Sequence, residues 1–185
     1  MPVIDGKEQE LQGLMHVASL MAISARTAPK SGGIDDIYTA VIYGEEKEHI
    51  AVEMERLAGV LNNRVFKRDA GSVRKSEVIV LIGVRGTKSF GVNCGACGHM
   101  TCAEFEKAPR VGGETFEGPT CILKALDMGI AIGSAAKTAG TLNADNRIMN
   151  TVGRAAKNLN YLPNASIIMG IPLSSYGKSP YFDRV

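Results

Sequence analysis

The sequence predicts an α+β domain interrupted by a cysteine-rich insertion. Three observations lead there. Stretches with helical periodicity alternate with few strand-like runs. One of those runs, SEVIVLIGV (residues 76–84), is apolar on both faces, as a central strand covered on two sides must be. Three of the four cysteines fall within nine positions, in a glycine-rich stretch between that run and a long apolar helix. Helices alternating with few strands argue for an α/β or α+β arrangement with the long helix central, and α+β is the class adopted here.

Each element has its own justification. In residues 8–25, Leu11, Leu14, Met15, Ala18, Met21, Ala22 and Ala25 recur at helical spacing along one face. That helix must stop near Thr27-Ala28, because the residue before Pro29 avoids the helical region. ARTAPKSGGIDD then reads as a loop, and TAVIY (39–43) as a β-branched strand ending at Gly44. Residues 46–61 place Ile50, Met54, Leu57 and Leu61 on one face of a second helix, and the basic stretch 64–75 has room for a short one. Periodicity fades from Arg85 to Pro119, which marks residues 85–119 as the insertion in a domain formed by 1–84 and 120–185. Residues 120–141 form the long helix, whose small side chains permit close approach of another helix or a planar ligand. Asp145 or Asn143 is placed to cap a further helix over 146–159. ASIIMGI (165–171) is a third strand, and the tail PLSSYGKSPYFDR is polar and irregular.

Composition narrows the function classes. A chain of 185 residues suits one domain with an insertion and can build a core without covalent staples. A hydrophobic share of 45% and a charged share of 22% exclude a mainly disordered chain. The net charge of +2 gives no reason to expect nucleic acid or an anionic membrane as partner. The N-terminus lacks a basic segment followed by an apolar core, and the longest apolar runs are too short to cross a bilayer. A cytoplasmic location is expected. Thiols stay reduced there, so the cysteines point to metal binding or catalysis rather than disulfides.

Their spacing is Cys-x2-Cys-x4-Cys-x18-Cys: Cys94, Cys97 and Cys102, then Cys121 at the start of the long helix. Thiolates are soft donors that select zinc or iron–sulfur clusters. Four-cysteine zinc sites usually pair two Cys-x2-Cys knuckles, and only one is present. Three ligands on one loop and a fourth from a helix start suit a cubane cluster, each of whose irons takes one thiolate. Gly95 and Gly98 each follow a cysteine, where they let the backbone wrap closely and aim N–H groups at sulfur. Structural zinc, a redox pair Cys94–Cys97 and independent buried thiols stand as the alternatives. His99 lies in the loop, placed to tune a cluster. His16 and His49 read as surface residues, and Glu104 and Glu106 as solvent-facing.

CGACGHMTCAEF resembles the Cys-Gly-x-Cys-Gly-x-x-x-Cys-x-x-aromatic motif of a 4Fe–4S domain found in electron-transport and corrinoid-protein subunits, where a further cysteine follows as Cys121 does. Through ARTAPKSGGID, CGACG and GIPLSSYGKSPYFDR the whole chain resembles a prokaryotic family described only as containing a ferredoxin domain. This resemblance implies a 4Fe–4S cluster on Cys94, Cys97, Cys102 and Cys121.

The framework has a second resemblance. ISARTAPKSGGIDDIYTAVIYGEEKEHI, ALDMGIAIGSAAKTAGTL and IIMGIPLS are similar to the early part, central helix and last core strand of flavin-dependent nitroreductases. That resemblance implies a three-layer domain, FMN as a second cofactor, flavin-dependent oxidoreductase chemistry, and a homodimer with any flavin at the subunit boundary. The basic N-terminal segment of that family is absent, and its loop appears here as Ala28-Pro29-Lys30-Ser31-Gly32-Gly33-Ile34-Asp35, without the flavin-contacting Asn and Gln. Arg26, Lys30, Lys178 and Arg184 are the residues that could hold the flavin phosphate. The expected role is redox: a cluster passing single electrons to or from a flavin, a small substrate or a partner protein. The competing expectation is a non-catalytic module in which cluster or zinc only holds the insertion in place.

Overall fold

In the computed structural model, which describes residues 3–182, the chain runs α1 (Gly6–Thr27), β1 (Ile37–Tyr43), α2 (Glu45–Val60), α3 (Arg64–Arg74) and β2 (Val78–Val84). The insertion holds α4 (Cys102–Lys107), β3 (Val111–Gly112) and β4 (Glu117–Gly118). Then follow α5 (Ile122–Thr141), β5 (Asp145–Asn146), α6 (Asn150–Asn158) and β6 (Ile167–Ser174).

β2 is buried along its whole length, as its two-faced apolarity requires. It pairs antiparallel with β1 on one side and β6 on the other, and the main sheet has the order β1-β2-β6-β5. Side chains alternate across the sheet. Val78, Val80, Ile82 and Val84 meet Leu14, Ala18 and Met21 of α1 and Met128, Ala131 and Ala135 of α5. Ile79 and Leu81 turn to the opposite layer, against Met54 of α2, Phe66 of α3 and Val152 of α6. The result is a three-layer α+β sandwich. Among the described residues, no helix is long and apolar enough to cross a membrane.

Two expectations about the C-terminal third need correction. Asp145 and Asn143 do not cap α6. Asp145 lies in β5, Asn143 sits at φ 56°, and the residue before α6 is Met149, with no side-chain cap. The last strand runs past residue 171 through Pro172, Leu173 and Ser174. Proline is tolerated because Gly170 exchanges both backbone hydrogen bonds with Met149. Residues 170, 172 and 174 therefore turn their backbone nitrogens away from β2, and Pro172 removes no β2–β6 bond.

The insertion begins and ends side by side. The Cys121 N–H donates to the Gly86 carbonyl at 2.9 Å, and the Gly86 N–H donates to Ser166 Oγ at 2.8 Å, just before β6. Between those points Phe105 is buried, with the Arg110 guanidinium 4.9 Å above its ring. Arg110 also donates to Pro119 O at 2.5 Å and Thr87 O at 3.3 Å, clasping both stems of the insertion. A Lys157–Glu117 ion pair at 3.5 Å ties it to α6.

α6 lies so close to β6 that a Cβ on Gly153 would fall 1.8 Å from the Ile168 carbonyl oxygen. Backbone cannot yield as a side chain can, so Gly153→Ala is expected to destabilise the fold by about 3 kcal/mol or more in urea unfolding. Gly13→Ala, within α1 and with nothing near its added Cβ, is expected to raise stability by about 0.5–1 kcal/mol in the same measurement.

Candidate metal centre

All four cysteines line one cavity, together with Ser89, Asn93, His99, Thr101 and Phe105. Its empty space, solvent at the mouth included, is about 270 Å³. Cys94 is exposed at the rim, Cys97 and Cys102 are half-buried, and Cys121 is buried at the base. None is in a disulfide.

The loop geometry follows from its residues. Gly95 and Gly98 sit at φ 76° and 86°, where a side chain would be strained. The expectation that these glycines aim N–H groups at sulfur is not met by Gly98, whose N–H closes a turn on the Gly95 carbonyl at 3.0 Å. The sulfur donors come from the other side. The Asn93 N–H lies 3.4 Å from Cys102 Sγ, and Asn93 Oδ1 accepts from the Cys102 N–H at 2.8 Å. The Asn93 amide, helped by the Gly91 and Val92 amides and the Ser89 hydroxyl, holds the Cys102 thiol below its ordinary pKa against the opposing effect of burial. Thiolate is the ligating form, so this nest of donors prepares Cys102 to bind metal.

Neighbouring side chains brace the loop. Glu104 completes a capping box with Thr101, and Glu106 accepts from Ser89 N at 3.1 Å and Ser89 Oγ at 2.6 Å. Both carboxylates are exposed, as expected, but both do structural work. His16 and His49 are exposed, whereas His99 lines the cavity and meets Phe105 edge-on at 6.2 Å.

Among the described residues no three His, Cys, Asp or Glu side chains converge as ligands of a single metal ion. The four thiols line one common cavity, and a set of four thiolates fits an iron–sulfur cluster, each of whose irons takes one thiolate.

Next to this cavity lies a charge cluster that the sequence reading passed over. Lys124, 1% exposed and three positions after Cys121, has its ammonium 3.0 Å from Asp36 Oδ2 and 4.0 Å from Asp127 Oδ2. Both aspartates are buried. Asp127 Oδ1 accepts from Ser31 N and Ser31 Oγ, each at 2.8 Å, while its Oδ2 is buried without a hydrogen bond. Arg85 donates to Asp36 Oδ1 at 2.6 Å. Burial pushes the Asp36 carboxyl up, but the hydrogen bond from Arg85 and the Lys124 ammonium beside it prevail and lower it from its ordinary value. The available signal was a lysine and an aspartate three residues apart inside an otherwise apolar helix.

Of the four cationic candidates for a flavin phosphate, the three that are described do not meet within one chain. Arg26 donates to Asp35 at 2.5 Å and to Ile37 O at 2.7 Å. Lys30, whose side chain is 5% exposed, caps the C-terminus of α1 through the carbonyls of Ala25, Arg26 and Ala28. Both lie near Ile37, which pairs with Val84 at one end of β2. Lys178 belongs to a tail held at the other end, where the Tyr181 hydroxyl meets Ser76 Oγ at 3.0 Å. The length of β2 separates the two, roughly 20 Å at about 3.3 Å per residue. Arg184 lies outside the described residues.

Comparison with known proteins bears on the family and on the fold. Residues 117–184 match a family described as "Uncharacterized protein containing a ferredoxin domain (DUF2148)". The matched segment includes Cys121 and not the other three cysteines. Among solved structures, nitroreductase CinD from Lactococcus lactis in complex with 4-nitrophenol is similar at TM-score 0.60 and 10% identity, over 89% of this chain and 79% of that one. A nitroreductase with bound FMN from Desulfitobacterium hafniense is similar at TM-score 0.56 and 16% identity, over 96% and 80%. NfrA2 of B. megaterium gives TM-score 0.51 and 14% identity over 89% of this chain, which spans 58% of that longer one. At such identities these likenesses show the fold, which is that of the nitroreductases. An uncharacterized protein of Archaeoglobus fulgidus is 50% identical over 182 residues, 98% of this chain and 97% of its own. With 50% identity over nearly the full length of both, the chain and the Archaeoglobus fulgidus protein belong to one family, whose ferredoxin-domain description rests here on the match to residues 117–184.

Proposed function

We propose that this chain is an iron–sulfur redox protein in which Cys94, Cys97, Cys102 and Cys121 hold one 4Fe–4S cluster and exchange single electrons with a partner protein or small substrate. One observation carries the reading: four thiols from a loop, the start of α4 and the base of α5 line a single cavity. When bound, such a cluster supplies one-electron storage. The chain's own residues divide the remaining tasks. Cys121 anchors the site to the β2 exit, the Asn93 amide favours the Cys102 thiolate, and Cys94 lies at the solvent edge beside exposed Val92 and Met100. That edge is where an electron can leave. Ligation requires reduced thiols, which fits the cytoplasm.

Flavin is the cofactor named for the Desulfitobacterium neighbour. In this chain the matching loop fits it poorly. The Lys30 ammonium is taken by three carbonyls, and Ser31 N and Oγ by Asp127. No electron step is therefore assigned to a flavin within one chain.

A homodimer is the quaternary state we infer. α1 and α5 pack together, and their outer side presents Leu20, Ile23, Leu126 and Ile130, each about half exposed. Covering that face with its own copy is the simplest closed solution.

Three measurements check this. Anaerobically purified or reconstituted protein is expected to be brown and to carry about four irons and four sulfides per chain, without stoichiometric flavin. Stoichiometric zinc without sulfide after reconstitution counts against the cluster. Cys97→Ser is expected to lose the cluster and loosen residues 85–119, while far-UV circular dichroism reports the rest folded. Collapse of the whole domain is the contrary result. Light scattering at micromolar concentration is expected to give a dimer, and Ile23→Glu a monomer. A monomeric wild type sinks the dimer.

A further inference from the structure

The Asp36–Lys124–Asp127 triad is difficult to explain by stability. A buried ammonium and two buried carboxylates lose hydration that their mutual attraction only partly restores, and well-packed apolar residues would serve a fold as well or better. The triad is also incompletely satisfied, since Asp127 Oδ2 makes no hydrogen bond and has Lys124 only at 4.0 Å. Arg85 and Lys88 reach Asp36 from the surface with their side chains 43% and 50% exposed, so water screens them. The triad itself is shielded from solvent, where charge is screened less than at the surface.

Its position matters. Lys124 lies one helical turn beyond Cys121, a spacing that puts side-chain roots roughly 5–6 Å apart. Its ammonium lies 5.8 Å from the centre of the Phe90 ring, and Phe90 adjoins Ser89 in the cavity wall. Lys124 therefore shares a helix face with Cys121, the innermost of the four thiols, and the triad adjoins the base of the cavity.

We propose that this triad sets the reduction potential of the cluster by fixing buried charge behind Cys121. The inference rests on the cluster reading above. Reduction adds one electron to the site. A nearby fixed positive charge favours that addition, and a nearby negative charge opposes it. Lys124 and the aspartates thus act in opposite senses, which gives the test its sign. None of the three touches the cluster; they are positioning residues that act through the field.

The experiment is a redox titration of anaerobically reconstituted full-length protein, followed by visible absorbance and electron paramagnetic resonance, with iron and sulfide measured on each sample. Lys124→Met removes the positive charge at similar length. Asp127→Asn removes a negative charge while its Oδ1 still accepts from Ser31. Both variants are expected to carry wild-type iron and sulfide. The midpoint potential is expected to fall below wild type in Lys124→Met and to rise above it in Asp127→Asn. Loaded variants with the wild-type midpoint overturn the proposal. So do shifts in the same direction in both, since that marks loosened packing rather than charge. If Lys124→Met does not fold, the Asp127→Asn shift decides alone. A wild type without iron and sulfide after reconstitution overturns the cluster reading, and this proposal with it, by a result separable from any potential.

Discussion

The hydrogen bond from the Cys121 N–H to the Gly86 carbonyl joins the end of the insertion to its beginning. It also joins α5, the long helix of one layer, to the exit of β2, the strand buried on both faces. Gly86 is held in turn by Ser166 at the entrance to β6. The base of the cavity is therefore built against the buried centre of the molecule, and the Cys121 backbone is tied to the exit of the central strand. The other three cysteines lie on a loop whose buried anchor is Phe105, held by Arg110, with the Cys102 N–H bound to Asn93 Oδ1.

This arrangement separates two sources of stability. The three-layer frame has apolar clusters on both faces of its sheet, the kind of core that a domain of this size can build without staples. The insertion buries little besides Phe105 and is held by polar contacts at its rim, including Glu106 to Ser89 and Lys157 to Glu117. Exposed ion pairs of that kind contribute little each. The amides around Cys102 favour its thiolate, the form a metal would take.

Much of this was legible in the sequence, for identifiable reasons. β2 shows itself because seven residues that must be buried on both faces have little choice but to be apolar. The helices show themselves because each has one wet side. The cysteine set was visible because soft ligands at close spacing have few other uses. What escaped notice depended on distant partners. Pro172 argued against continuing β6, yet its nitrogen faces away from β2, which only the register reveals. Lys30 looked like a loop cation open to a phosphate, and it is instead folded back on the carbonyls of its own helix. Lys178 seemed a companion to it, and the sheet keeps them apart. Lys124 and Asp127 were hidden in an apolar helix because their meaning lies in Asp36 and Ser31, some ninety positions away in the chain.

The same network bears on how a flavin-type fold can serve a cluster. The Ala28–Ile34 loop resembles a flavin-binding loop in sequence, but its Ser31 amide and hydroxyl both point at Asp127. A donor bound to a buried carboxylate is not free for a phosphate or a flavin ring without a buried charge being left unpaired, a substantial cost. Asp127 in turn lies one turn beyond Lys124, which neighbours the base of the cysteine cavity. The loop that a nitroreductase resemblance would assign to cofactor contact is thus joined to the thiol site through two buried charges on α5. Fold likeness alone would place the chemistry at that loop. The thiols offer a second place for it, about two helix turns from Asp127, at Cys121 just before the start of α5.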